Sequence, residues 1–398
     1  MEFTNHTPFP SLTFQALDQH RQPAQVLVMR ATLDMRADGT LDLSHEQEPL
    51  VLTDEYFGEP NRSSVRQESD LAPFKPRCDV VVNAMAYAPG GRPSPRFSVG
   101  IRINAPPREK GASAPPILEK KLVVTGPRKA FLEGKILKIS GKPLTSLPIH
   151  YEFAFGGECR INRDDPNRNQ VAPAYLLSPE QLELHPDGPD KAPLAHRVCE
   201  SNPIGTGFVE PWYLSAARLK EIPFPQIECT KNPVLQIGLP YPPQGFGIIS
   251  KSWQPRLKLA GTYDDAWLEQ RWPDIPDDLD FAFWNGAHSD MQIPYLRGNE
   301  TIQLTNLMPT GVVPTIQDSE GNSVASFELP GRTPHLFAQF GSGETSAVDF
   351  NIDTLIIDTE NRKLSLVYRS IIPERPVVWT LVAKINGKVD SNFLGTAE

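Results

Sequence analysis

Five side chains with the chemistry to hold a transition metal lie near one another in sequence: His150, Cys159, His196, Cys199 and Cys229. His196 and Cys199 stand three apart, and Cys159 and Cys199 flank a polar insertion. A structural zinc ion takes four such ligands in a closed tetrahedron. The four cysteines of the chain, Cys78 included, form no CxxC pair, and their spacings match no finger or ribbon. Ordinary thiols and histidines are the simpler reading, so neither a metal nor another cofactor is expected. Carboxylates gather at Asp264, Asp265 and Glu269, and again at Asp277, Asp278 and Asp280. Glycoside hydrolysis needs two carboxyl groups at a controlled separation, which spacing along the chain does not define. Capping and the helix dipole already account for acidic residues at a helix start.

The glycine-rich loops carry no phosphate-binding signature. Gly205-Thr206-Gly207 lacks the third glycine of a dinucleotide fingerprint, and Gly341–Ser346 is followed by no Lys-Ser/Thr pair. A GxSxG nucleophile elbow is absent. Two arginines stand beside aromatics, in Trp253-Gln254-Pro255-Arg256 and Tyr295-Leu296-Arg297. A buried guanidinium with carboxylate or aromatic partners pins loops together. Loops at 239–255 and 281–297 are rich in Pro, Trp, Tyr and Phe, which interface hot spots use.

The elements that position these residues read as strands. From Leu147 the apolar residues alternate through Ile149, Tyr151, Phe153 and Phe155, which predicts a central strand ending at Gly156-Gly157. Phe97–Asn104 alternates most cleanly. Ala24–Arg30, Leu41–Leu43, Val80–Tyr87, Leu122–Thr125 and Ile136–Ile139 are further strands. Short helices are expected from Ser178, from Leu214 to Lys220, and from Asp265 to Arg271 with Asp264 or Thr262 as cap. Gly321-Asn322 and Asn386-Gly387 suit hairpin turns. Ile352–Asp358 and Lys363–Ile372 form another hairpin, and Trp379–Ile385 a late strand. The 41 prolines of the 398-residue chain are spread throughout, which favours short strands and long ordered loops.

These readings give a mainly β fold with a large sandwich-like or multi-sheet core, a few short helices and long Pro-rich loops. Residues 1–310 form the main β-rich domain, with 158–200 as a surface insertion. Residues 311–398 form a C-terminal β meander packed on it. The net charge of −9 and the lack of a basic block argue against nucleic acid. No apolar run reaches bilayer length. The start, Met-Glu-Phe-Thr-Asn-His, has no signal-peptide pattern, so a cytosolic protein with reduced thiols is expected.

Seven short motifs follow one another in order: Pro73-Phe74-Lys75-Pro76-Arg77-Cys78-Asp79-Val80, Tyr151-Glu152-Phe153-Ala154-Phe155-Gly156-Gly157, Asn202-Pro203-Ile204-Gly205-Thr206-Gly207-Phe208, Pro243-Gln244-Gly245-Phe246-Gly247, Trp253-Gln254-Pro255-Arg256, Ala260-Gly261-Thr262-Tyr263-Asp264 and Pro294-Tyr295-Leu296-Arg297-Gly298-Asn299-Glu300. The series resembles, over roughly residues 5–385, a bacterial family long catalogued as a domain of unknown function. Its members are encoded with type VI secretion effectors and act as effector adaptors or chaperones. Phe153 stands where the family usually has a charged or polar residue, and Thr206 where it often has a basic one.

The resemblance implies a non-enzymatic protein that binds a cognate toxic effector in the cytoplasm and helps load it onto the VgrG or PAAR spike. The motif residues, Tyr151 to Gly157 foremost, are then candidates for partner binding. Two other classes fit the composition. One is a carbohydrate-binding or carbohydrate-cleaving β protein; the other is a structural module of a secretion or tail assembly.

Overall fold

The computed structural model describes residues 2–106, 115–133, 136–331, 333–339, 345–372, 378–385 and 388–389. The protein is mainly β, built from several sheets with few and short helices. The largest sheet runs Ser11–Leu17, Pro23–Met35, Lys363–Ile372, Asn351–Asp358, Cys78–Asn83 and Gln292–Ile293, with Leu41–Leu43 added beside Pro23–Met35. A second runs Ile227–Cys229, Pro116–Thr125, Arg96–Asn104, Thr301–Thr305, Ser323–Glu328 and Thr315–Gln317. One hydrophobic core draws on both, through Met29, Val80 and Leu366 from the first and Val99, Ile101 and Leu304 from the second.

The sequence patterns explain the two kinds of strand. In Arg96–Asn104 the odd positions are buried, while Ser98, Arg102 and Asn104 are half-buried. Pro23–Met35 is buried at almost every position, so it reads as a continuous apolar run rather than an alternation. The Asn351–Asp358/Lys363–Ile372 hairpin forms as its sequence predicts and closes the interior of the first sheet. Lys363–Ile372 lies antiparallel to Pro23–Met35, with Leu366 opposite Ala31. Asn351–Asp358 lies parallel to Cys78–Asn83, with Leu355 opposite Val80. Thr315–Gln317 and Ser323–Glu328 belong to the second sheet, and Val378–Ile385 pairs with Glu2–Asn5 in a third.

The expected central strand over Leu147–Phe155 does not form. Ser146–Pro148 pairs with Met85–Tyr87, Tyr151–Phe153 is a single 3-10 turn, and Phe155–Gly156 is a two-residue strand. The alternation nonetheless marks burial: Leu147, Ile149, Tyr151 and Phe155 are all buried, and Phe153 packs against the core half-buried. Side-chain hydrogen bonds to the backbone, described below, hold these residues in a turn where a sheet ladder was expected.

The helix starting after Ser178 has a capping box, closed by Gln181. Asp264 caps Asp265–Gln270. The helix expected at Leu214–Lys220 lies earlier, at Pro211–Ala216, because Pro211 fits the first helical turn, where no amide is needed. The excursion after residue 157 is closed at its base by pairing of Glu158–Ile161 with Ala195–Val198. The Gly321-Asn322 turn joins two paired strands, whereas Asn386-Gly387 lies outside the described residues. No helix among the described residues is long and apolar enough to cross a membrane.

Candidate functional site

Asn202 ties two of the sequence motifs together. Its side chain is fully buried, and Nδ2 donates to the carbonyls of Tyr151 at 2.8 Å and Phe155 at 3.0 Å. Its own carbonyl accepts from the Gly157 amide at 2.9 Å. Phe155–Gly156 pairs in parallel with Thr206–Gly207, and the Phe208 amide donates to Gly156 at 2.8 Å. This close approach requires glycine: a Cβ at Gly156, where φ is +157°, would lie 2.1 Å from the Asn202 carbonyl. Gly205 is held as tightly, its hypothetical Cβ 2.4 Å from Asn202 Nδ2. Glu152 accepts from the backbone and hydroxyl of Ser64, and Ser64 Oγ also accepts from the Tyr151 amide at 2.8 Å. Pro203 and Phe208 are half-buried beside this knot.

Tyr151 passes from the knot into the core. Its hydroxyl donates to the Gly247 carbonyl at 3.3 Å, and its ring meets Trp253 edge-on at 5.7 Å. A Cβ at Gly245 would lie 2.8 Å from Tyr151 Cζ. Burial pushes the phenol well above its ordinary pKa, so it remains a neutral donor. The next residue after Trp253 returns the connection, since the Gln254 amide donates to the Glu200 carbonyl at 2.8 Å.

Gln254 also lines a cleft of about 530 Å³, walled by Pro243, Ile249, Pro255, Leu259, Ala282 and Ala287. Its polar wall residues are mostly committed to internal partners. Arg256 is buried, forks onto the Glu68 carboxylate at 2.5 and 2.8 Å, and donates to the carbonyls of Ile249 and Phe283. That bidentate pair fixes the wall. Asn285 donates to Asp79 at 3.0 Å, and the Gly286 and Ala287 amides donate to the same carboxylate. Lys75 completes the buried pair with Asp79 at 2.8 Å. His288 Nε2 donates to the Pro243 carbonyl at 3.2 Å, while Nδ1 accepts from the Asp290 amide at 3.2 Å. A backbone amide can only donate, so this is the neutral Nε2–H tautomer. Burial, reinforced by nearby Lys120, lowers the His288 pKa to about 4. Burial likewise lowers Lys120 to about 8, only partly offset by Asp290 at 3.7 Å. Gln254 Oε1, at the cleft wall, is buried without a hydrogen-bond partner. The site offers preformed apolar surface with few polar groups to spare, which suits binding.

The remaining motif residues lie elsewhere. Tyr295 donates to the Lys75 carbonyl and borders a separate cleft, also about 530 Å³, beside Asp353 and Arg369. Burial raises its hydroxyl pKa to about 12. Arg297 is exposed; its amide and those of Gly298 and Asn299 converge on the buried Glu300 carboxylate. Tyr263 is exposed, and Asp264 serves as a helix cap. Of the five metal-ligand candidates, His196 bonds to Glu158 and His185, His150 stacks on Phe57 at 3.9 Å, and Cys159 is buried beneath the Phe208 carbonyl. Cys199 is buried and Cys229 lies on the second sheet. Asp79 stands in the first motif, but Glu68, Asn285 and His288 do not belong to any motif. The partners of Glu68 and Asn285 are far away in the chain, Arg256 at 188 residues and Arg77 at 208.

No curated protein and no solved structure matches the chain. The family described as an uncharacterized protein conserved in bacteria (DUF2169) matches residues 20–369. The match takes in the knot, the cleft and the strands that carry them, and the chain belongs to that family.

Proposed function

We propose that this protein is a non-enzymatic adaptor. It binds a cognate type VI secretion effector in the cytoplasm and helps load that effector onto the VgrG or PAAR spike. The reading starts from the ordered motif series and its resemblance to effector adaptors. The observation that carries it further is convergence. Pro243 and Gln254–Arg256, from two of the motifs, line one preformed, mainly apolar cleft whose charged wall groups are neutralised internally, and Tyr151 and Asn202 tie the 151–157 and 202–208 segments to the same loops. Such a cleft supports recognition by burial of a partner's side chains. Its walls are mostly loops and short 3-10 turns, which favour capture of side chains over addition of a strand at a sheet edge.

The test is co-expression of the tagged full chain with the product of the effector gene beside its own. The two are expected to purify together, and effector secretion is expected to fall without this chain. Ala282→Glu, which places a carboxylate on the cleft wall, should weaken the complex by about tenfold or more with the thermal melt unchanged. Failure of the wild-type proteins to associate, with secretion unaffected, would overturn the reading.

A further inference from the structure

Residues 257–281 combine charge with exposed apolar surface. Seven carboxylates stand there against two cations, Lys258 and Arg271, so five of the chain's nine net negative charges fall in this segment. It also exposes Leu257, Tyr263, Leu268 and Trp272, at 45%, 56%, 58% and 65%. These are four of the twelve large apolar side chains exposed among the described residues. Single exposed apolar residues need no explanation, but a concentration of them does.

The segment is held in one conformation. Trp267 Nε1 donates to the Asp274 carbonyl at 2.8 Å, and the Tyr263 and Trp267 rings meet at 4.7 Å. Asp278 accepts from the Thr262 amide at 2.9 Å and hydroxyl at 2.7 Å. Tyr263, held against Trp267, loses little freedom when a partner covers it. The segment also separates two concavities. Leu259 lines the apolar cleft. On the other side lies a cleft of about 640 Å³ with Asp277, Asp278 and Asp280 on its wall and Phe74 and Phe281 among its lining. Arg21, its cation, donates to the carbonyls of Pro276 and Leu279.

We propose that residues 257–281 form a docking platform for a basic segment of a partner protein that carries apolar anchor residues. Charge complementarity selects the occupant. Cationic side chains balance the segment's excess of carboxylates, and apolar ones remove Leu268 and Trp272 from water. An acidic or neutral segment does neither. The proposal rests on the adaptor reading, whose bound segment it describes chemically.

The probe is a fluorescein-labelled peptide of about twelve residues in which Lys alternates with pairs of Leu, measured by anisotropy against the full chain. Two controls replace every Lys by Glu or every Leu by Ser. The basic apolar peptide is expected to bind and the controls are not. Its affinity should fall about tenfold with Leu268→Ser/Trp272→Ala. A similar fall is expected with Asp265→Asn/Glu269→Gln/Asp274→Asn, whose side chains cap no helix, and on raising salt from about 0.05 M to about 0.5 M. Equal binding to all variants, no binding of the basic peptide, or variants that change only the chain's own oligomeric state would overturn the proposal. The co-expressed effector separates the two readings. An effector that purifies equally with every platform variant leaves the adaptor standing and removes the platform. Peptide binding with these sensitivities, but no effector capture, leaves the platform and removes the adaptor.

Discussion

Protonating His288 requires its Nδ1 to give up the Asp290 amide at 3.2 Å. The imidazole is therefore neutral in the folded chain down to about pH 4, whereas in the unfolded chain it titrates near its ordinary value of about 6.5. Between those values the unfolded state binds the extra proton, so stability rises with pH across the window and is lost as pH falls through it. The loss from this residue should reach about 3 kcal/mol by pH 4. Urea unfolding of wild type and His288→Asn between these pH values checks it: the variant should show that much less acid sensitivity, and equal slopes would contradict the assignment. Single residues of this kind were the least legible part of the chain. Arg256 was read as a buried guanidinium that pins loops, and it does so. Its carboxylate, Glu68, lies 188 residues away, and nothing in local spacing points to it.

At the scale of elements, alternation reported burial correctly and conformation incorrectly at Leu147–Phe155. A period of two is compatible with any extended path whose alternate residues face a core, and Tyr151–Phe153 satisfies it while turning. The turn is selected by Asn202 and Ser64, which arrive from other parts of the chain. Where both strand faces and ladder partners are regular, as in Arg96–Asn104, the same pattern predicts the element itself. The knot makes a sharp prediction about glycine. Gly156→Ala places a methyl group on the Asn202 carbonyl, and Gly245→Ala places one on the buried Tyr151 ring. Each should lower stability by about 3 kcal/mol, read as a shifted urea midpoint, whereas Gly311→Ala, with open space around it, should cost about 1–2 kcal/mol from its positive φ alone. Equal effects at all three positions would mean that the close contacts at Gly156 and Gly245 do not govern their cost.

At the scale of the molecule, individual strands and the 351–372 hairpin were legible, but their order in the sheets was not, because pairing partners leave no mark on each other's sequence. The Asn351–Asp358/Lys363–Ile372 hairpin occupies the middle of the largest sheet. Ending the chain before Asn351 strips both Pro23–Met35 and Cys78–Asn83 of a neighbour and leaves their apolar sides open. The truncated protein is expected to lack a cooperative urea transition and to lose its near-ultraviolet circular dichroism; a sharp transition would show that the remaining strands hold without the hairpin. The same interleaving bears on birth as well as on stability. The Arg30–Ser365 hydrogen bond spans 335 residues, and Lys75–Thr354 spans 279. At ribosomal speeds of about 5–20 residues per second, the first-made strands wait on the order of tens of seconds for their neighbours. A protein proposed to shelter another chain thus emerges from the ribosome with its own sticky edges uncovered, and is itself an expected client of the cell's folding helpers.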